Sequence, residues 1–347
     1  MKDNKLSGIR ELFDGMKGHN FGLPDCFKFI LERVGAGEKP DFWDIGAVSG
    51  DTVAQVYNSN PSTRCDYSVS GHLAGAGHIA YVFDALGYAH EYAEAGKVNS
   101  DKAPYLKKIA AYIDKGVPVL AITNINDVPA WDSDVGTYCL IVGYENSDQK
   151  IKLLIGGTTV IDYDMSGEIK LDLAFIGEKQ REVPLEELYI NAIRKMPGWL
   201  TRPKHNGVFF GSGAYRAWAG DIEAGRFENM DKYKLWDNYG VYVCNLATRG
   251  GEPTFLFRKL AEMNPEYSGL AVLGGKIQEL LPCETPTGGR SLLWIKLEEL
   301  EGGMNMDEVK ITMCDREKRT AVASALRDYA GCLDKAVELL NAGLRKT

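Results

Sequence analysis

Apolar residues recur at helical spacing in one short stretch near the start of the chain. They are Phe27, Ile30, Leu31 and Val34. Residues at positions i, i+3, i+4 and i+7 share one face of an α-helix. Asp25 before the stretch and Gly35 after it are typical of a helix start and a helix end. The pattern therefore predicts a short helix with Asp25 as its N-cap and Cys26 in its first turn.

A different pattern dominates the middle of the chain. Runs of β-branched and aromatic residues separated by short turns predict strands at 117–123, 137–144, 150–155 and 158–163. Strands so close in sequence pair antiparallel, as a meander. Further elements are predicted as helices at 5–18, 41–51, 72–86, 105–114 and from 184, and as strands at 52–58 and 88–94.

From residue 211 onward the periodicity is helical alone. Helices are predicted at 213–227, 232–246, 253–263, 267–281 and 316–344. The stretch 197–203, which contains two prolines, marks a boundary. These patterns predict an α+β domain over residues 1–203, with N-terminal helices and an antiparallel sheet, followed by an all-helical domain over residues 204–347.

Composition and charge narrow the possible partners. The formal net charge of −8 argues against a nucleic-acid or anionic-membrane partner. The N-terminal residues show no signal-peptide pattern, and no apolar stretch reaches membrane-spanning length. The seven cysteines have no paired spacing, which favours a reducing cytoplasm and predicts neither disulfides nor a zinc site. No metal and no cofactor are expected.

Cys26 has the position of a nucleophile. The positive end of a helix dipole favours the thiolate form, which is the reactive one. Free cysteine is also one of the residue types most often buried as a small hydrophobe, so both readings stay open. His19 and Asn20 are close to Cys26 in sequence. His72 and His78, near the start of the 72–86 helix, are candidate bases, helix caps or core residues.

An acidic stretch precedes the strand at 137–144. Asp127, Asp132 and Asp134 lie on a predicted loop that leads into Thr137 and Tyr138. Carboxylates at the rim of a cleft bind a cation or a cationic ligand, and the alternative is a solvated loop. The spacing does not match a calcium-binding loop.

Three landmarks follow one another along the first half of the chain: the cysteine helix, a strand preceded by Lys-Gly-Val-Pro, and a strand ending in Val-Gly-Tyr. They lie at Asp25–Gly35, Ile113–Leu120 and Tyr138–Glu145. Their order resembles the papain-like cysteine-peptidase fold, most closely the bacteriocin-processing type and the related N-terminal domain of the butirosin biosynthesis protein H family. That family has an additional helical region after this domain, and the resemblance implies acyl transfer rather than proteolysis.

The resemblance also implies a catalytic set. Cys26 occupies the nucleophile position, and Asn20 occupies the position of the oxyanion-hole glutamine. The family's histidine falls on Thr137, which cannot act as a general base, and its Asn or Asp falls at about Gly156. A triad without its base loses orders of magnitude in rate. Two of the three expected members are therefore absent.

Three functions follow from these observations. The leading hypothesis is a cytoplasmic papain-like-fold protein with a degenerate triad, that is, a pseudoenzyme. It binds a small-molecule, acyl or peptidyl ligand in a cleft around Cys26. The binding residues of this cleft are Asp132, Asp134, Thr137 and Tyr138. The first alternative is an active acyltransferase or amide hydrolase in which His19, His72, His78 or His205 serves as a displaced base and Asp132 or Asp134 orients it. The second alternative is a non-catalytic interaction protein that forms a homodimer.

Overall fold

The chain forms two compact units. A computed structural model describes residues 4–9, 22–35, 39–59, 76–123, 138–145, 149–155, 159–205, 207–247, 254–285 and 288–345. The first unit comprises Met1–Ser49 and Asp66–Leu185, and the second comprises Gly50–Cys65 and Glu186–Thr347. This division differs from the predicted boundary at 203, and it assigns a short early segment to the second unit.

Helices and strands alternate irregularly along the chain. The helices are α1 Leu23–Arg33, α2 Phe42–Ser49, α3 Ala76–Ala85, α4 Ala95–Ser100, α5 Lys102–Asp114, α6 Leu185–Leu200, α7 Ser212–Glu223, α8 Lys232–Leu235, α9 Phe255–Met263, α10 Ser268–Leu280, α11 Leu292–Glu299, α12 Met306–Cys314 and α13 Arg316–Leu344. The strands are β1 Asn4–Lys5, β2 Val56–Asn58, β3 Tyr88–Ala93, β4 Val119–Thr123, β5 Tyr138–Glu145, β6 Lys150–Ile155, β7 Thr159–Asp164, β8 Leu171–Lys179, β9 Val208–Phe210, β10 Cys283–Thr285 and β11 Gly288–Ser291. The predicted α+β class is confirmed.

An antiparallel sheet of seven strands forms the centre of the first unit. Its order is β3-β8-β4-β5-β6-β7, and β1 pairs with β5. The predicted meander of β4 to β7 is confirmed, because these four strands are neighbours in chain order. Strand β8, which was not predicted, returns to pair with β3 and β4. Its residues Leu173 and Ala174 are fully buried. Its position in the sheet therefore depends on pairing with strands that are distant in sequence.

Strand β1 replaces part of a predicted helix. The pattern predicted a helix at 5–18, but Asn4 and Lys5 pair with Tyr144 and Gly143 of β5. Residues 10–21 lie outside the described ranges. A Cβ at Gly143 would come within 2.9 Å of the Asn4 carbonyl oxygen. The glycine of the Val-Gly-Tyr landmark therefore allows the close approach of a neighbouring strand.

Helix α1 packs against α2 and against strands β4 and β5. Its buried side chains include Leu23, Cys26, Phe27, Ile30 and Leu31. Phe27, Ile30 and Leu31 of the predicted apolar face are buried, whereas Val34 lies just past the helix end as its C-cap. Burial of such a face, rather than helix propensity, supplies most of the stability of a helix of this length.

The second unit is mainly helical, but the prediction of an all-helical C-terminal region was wrong. Strand β9 pairs with β2, and β10 pairs with β11. Val208, Phe209 and Phe210 are residues that favour strands, and their partner strand lies about 150 residues earlier in the chain. A partner so distant in sequence leaves no local signal.

Helix boundaries in the second unit differ from the predicted ones at two places. Helix α6 continues through Pro197 to Leu200, where a boundary was predicted. The buried side chains of Met196 and Trp199 hold this turn in the core, which offsets the backbone hydrogen bond that proline cannot donate. The predicted helix at 232–246 is α8 followed by two π-helical segments, Trp236–Gly240 and Val243–Ala247.

The long helix α13 packs against α7 and α10. Trp218 of α7 is fully buried, and its ring lies 5.2 Å from that of Tyr239 and 5.9 Å from that of Tyr242. Among the helices in the described part of the chain, none is both long and apolar enough to cross a membrane.

Candidate functional site

The first turn of α1 begins earlier than predicted. Gly22 is the N-cap, Leu23 is the first helical residue, and Pro24 follows it. The backbone N–H of Cys26 already donates to the carbonyl oxygen of Gly22, at 3.1 Å. The prediction of Asp25 as N-cap was wrong: Asp25 lies inside the first turn, where a carboxylate favours the helix start through the dipole. Cys26 therefore lies three residues deeper in the helix than predicted.

The thiol of Cys26 has no exposed surface. Burial raises its pKa well above the ordinary value of 9.0, and the nearby Cys139 and Asp25 raise it further. Removal from water disfavours the charged form of a thiol, and neighbouring negative charge disfavours it again. This environment opposes the thiolate that a helix dipole favours, and it agrees with the alternative in which Cys26 is a small buried hydrophobe. Desolvation outweighs the dipole, and the group is a neutral thiol at physiological pH.

Cys139 is the second thiol at this place. It lies on β5, pairs with Ala121 of β4, and its Sγ donates to the carbonyl oxygen of Ala121 at 3.6 Å. Burial raises its pKa to about 12. Cys139 was not predicted as a site residue. A signal was present, because position 139 has the same parity along the strand as position 137, to which the resemblance assigns the family's histidine.

An aromatic stack extends from α1. The ring of Phe27 lies 4.7 Å from that of Phe83 on α3, and the ring of His90 on β3 stacks on Phe83 at 5.4 Å with an interplanar angle of 4°. His90 Nδ1 is 3.7 Å from a carboxylate oxygen of Asp84. Phe27, the residue after Cys26, is therefore packed in the core. This arrangement fixes α1 against α3 and β3.

The other predicted site residues divide into two groups. His78 is half-buried on α3, with its ring 6.3 Å from that of Tyr81. Tyr138 is fully buried at the start of β5 and pairs with Ile122. The remaining predicted positions, His19, Asn20, His72, Asp127, Asp132, Asp134, Thr137 and Gly156, lie outside the described residues. His205 lies in the second unit, where its backbone bridges to Val208.

The arrangement of the described residues is that of a packed core rather than of a reactive centre. Cys26 and Cys139 are both buried neutral thiols, and thiols in that form are poor nucleophiles and poor metal ligands. Within the described ranges, no group of three or more His, Cys, Asp or Glu side chains is placed to hold a metal ion. Comparison of the chain with protein-family models and with curated proteins gives no match.

Proposed function

We propose that this protein is a non-catalytic member of the papain-like fold, of the bacteriocin-processing and butirosin biosynthesis protein H type. In this proposal the scaffold binds a small-molecule, acyl or peptidyl ligand near the start of α1 and performs no cysteine chemistry. The particular family is an interpretation of the sequence landmarks. The order of α1, β4 and β5, and the packing of α1 on those two strands, support it.

The observation that carries the proposal is the environment of Cys26. A cysteine acyl-transfer enzyme needs a partly exposed thiol whose pKa is lowered by a cation or a base. Cys26 has no exposed surface, and its pKa is raised by burial, by Cys139 and by Asp25. Every one of these three effects opposes ionisation. The loss of the base position to Thr137 in the sequence has the same consequence.

The cytoplasm is the compartment that we propose. The five cysteines whose side chains the structure describes are all free thiols, and one of them, Cys314, is exposed. Free thiols persist in reducing compartments. The net charge of −8 supports a partner other than nucleic acid or an anionic membrane, and the homodimer stays a prediction that light scattering would test.

The experiment is alkylation of the native protein with iodoacetamide between pH 6 and pH 10, followed by peptide mass spectrometry. The exposed Cys314 is an internal control in the same chain, and labelling in urea gives the rate of the unfolded thiols. We expect Cys26 to react at least about 100-fold more slowly than Cys314, with no acidic plateau, because both burial and protonation suppress its reaction.

A fast reaction of Cys26 near pH 7 would contradict the proposal and favour the active acyltransferase or amide hydrolase. The variants Cys26→Ala and Cys139→Ala complete the assignment of the labelling rates to the two thiols. We expect Cys139 to be as slow as Cys26 in the native protein, because it is equally buried. A slow Cys139 beside a fast Cys26 would show selective activation of the nucleophile position.

A further inference from the structure

A small cavity lies among the helices of the second unit. Its walls come from α6, α9, α10 and α13 and from the segment before β2. The centre of a water-sized sphere can occupy ≈ 30 Å³ of the cavity. One water needs about 10–15 Å³ on this measure, so the cavity has the size of about two waters. A guest of this size is a molecule with two heavy atoms.

Helix α13 supplies one wall. Tyr329, Leu333, Ala336 and Leu340 line the cavity, and their spacing of four, three and four residues places them on one face of the helix. Side chains of leucine, isoleucine, valine, methionine and phenylalanine form most of the remaining lining. None of the described residues that line the cavity is charged. The lining therefore excludes ions, because an unpaired charge is costly to desolvate.

Three polar residues also line the cavity, and each of them has an interaction within the protein. The Oε1 atom of Gln55 accepts a hydrogen bond from the hydroxyl of Tyr215 at 2.6 Å, and its Nε2 atom donates to the Val53 carbonyl oxygen at 3.3 Å. Tyr329 is hydrogen-bonded to Tyr215, and Thr254 has an interaction of its own. A buried water needs two to four polar partners. A cavity lined in this way is a poor site for water.

We propose that the cavity is a binding site for a diatomic apolar molecule of the class of dioxygen. The two atoms of such a molecule are joined by a bond, so it is shorter than two waters in contact, and it needs no polar partner. Its transfer from water into an apolar space is favourable. The volume of the cavity excludes longer molecules. The site is independent of Cys26 and of the function proposed for the first unit.

The test is NMR of the full chain, carrying ¹³C-labelled leucine methyl groups, under raised dioxygen pressure. Dioxygen is paramagnetic, so it speeds the relaxation of the methyl protons that it contacts. We expect a severalfold larger increase at Leu333 and Leu340 than at Leu154, which is fully buried in the sheet of the first unit and does not line the cavity. Dinitrogen at the same pressure is the diamagnetic control for the effect of pressure.

Contact with dioxygen in the bulk solvent does not produce this difference, because Leu333 and Leu340 are themselves almost fully buried. Equal increases at all three leucines would show only the general solubility of dioxygen in the protein interior. That result would overturn the proposal.

A filling variant locates the site. Ala336→Leu places a larger side chain in the cavity, and we expect it to lower the increase at Leu340 to that of Leu154. The control is Gly275→Ala on α10, because a Cβ there meets nothing within 4 Å, and it should keep the wild-type increase. If the methyl spectrum of Ala336→Leu shows loss of folding, Val53→Ile, which adds one methylene to the lining, replaces it. An unchanged increase in the folded filling variant would contradict the location.

The size of the guest has a separate test. n-Pentane is apolar and has more heavy atoms than the cavity can hold. We expect no saturable shifts of the methyl groups of Leu333 and Leu340 when n-pentane is added to the wild type. Saturable shifts at these two residues would overturn the assignment of the cavity to a diatomic molecule.

Discussion

In the first unit, the side chains of Cys26, Phe27, Phe83 and Cys139 have no exposed surface, while the helices of the second unit leave a cavity that Ala336 of α13 helps to line. Both places are built from the same types of apolar residue. In the first, helix α1 packs against strands β4 and β5 of the sheet. In the second, four helices and the segment before β2 line the space. The difference shows that Cys26, the candidate nucleophile, lies in a packed core. The cavity is instead lined by residues that carry no charge.

The largest effect expected from this difference concerns truncation of leucines. Leu154→Ala on β6 removes a fully buried side chain, whereas Leu340→Ala enlarges an existing cavity. Such truncations cost about 2–5 kcal/mol of the free energy of unfolding. We expect Leu154→Ala near the upper end and Leu340→Ala near the lower end, because a cavity wall has fewer neighbouring atoms to lose.

Hydrogen exchange measured by mass spectrometry in urea reports each unit separately, through peptides of β6 and of α13. This separation is needed because two compact units need not unfold together. Equal costs for the two variants, or the reverse order, would break the distinction between a filled core and a cavity.

The second effect tests how closely the helices around the cavity approach. A Cβ at Gly274 on α10 would lie 2.6 Å from the Cβ of Phe257 on α9, while a Cβ at the adjacent Gly275 would meet nothing within 4 Å. We expect Gly274→Ala to cost about 1–3 kcal/mol through overpacking. The matched control Gly275→Ala should be neutral or stabilise by up to about 1 kcal/mol, because alanine favours the helix. Urea unfolding monitored by exchange of α10 peptides measures both, and destabilisation by Gly275→Ala alone would contradict this packing.

The smallest effect is a pH dependence of the first unit. The folded pKa of Cys26 is raised above 9.0, so above pH 9 the unfolded chain loses a proton that the folded chain retains. Stability is then fully present below pH 9 and falls as the pH rises. Between pH 8 and pH 10 the loss from this one thiol is at most about 1.4 kcal/mol.

Urea unfolding of the wild type, of Cys26→Ala and of the double variant Cys26→Ala/Cys139→Ala at pH 8 and pH 10 measures this loss. The single variant should remove one thiol's share and the double variant a second, because burial raises the pKa of Cys139 to about 12. Identical pH dependence in all three proteins would show that the thiols ionise in the folded state.

Much of the fold was predictable because its signals are local. Helix α13 spans Arg316–Leu344 and strand β6 spans Lys150–Ile155, as their periodicity predicted. Strands β1 and β8 were not predicted, since their partners lie far away in sequence and the chain near them has no strong alternation. The helix through Pro197 was not predicted for the same reason: burial of Met196 and Trp199, which is a long-range property, overrides a local stop signal.

By itself, the sequence determined the α+β class, the meander of β4 to β7 and the apolar face of α1, because each of these depends on neighbours within a few positions. It also placed Cys26 in the first turn of a helix. The tertiary structure alone decided the ionisation of Cys26, because desolvation depends on strands more than 90 residues away, and it alone produced the cavity beside Ala336. Burial and packing are properties of the assembled chain, whereas periodicity is a property of each segment.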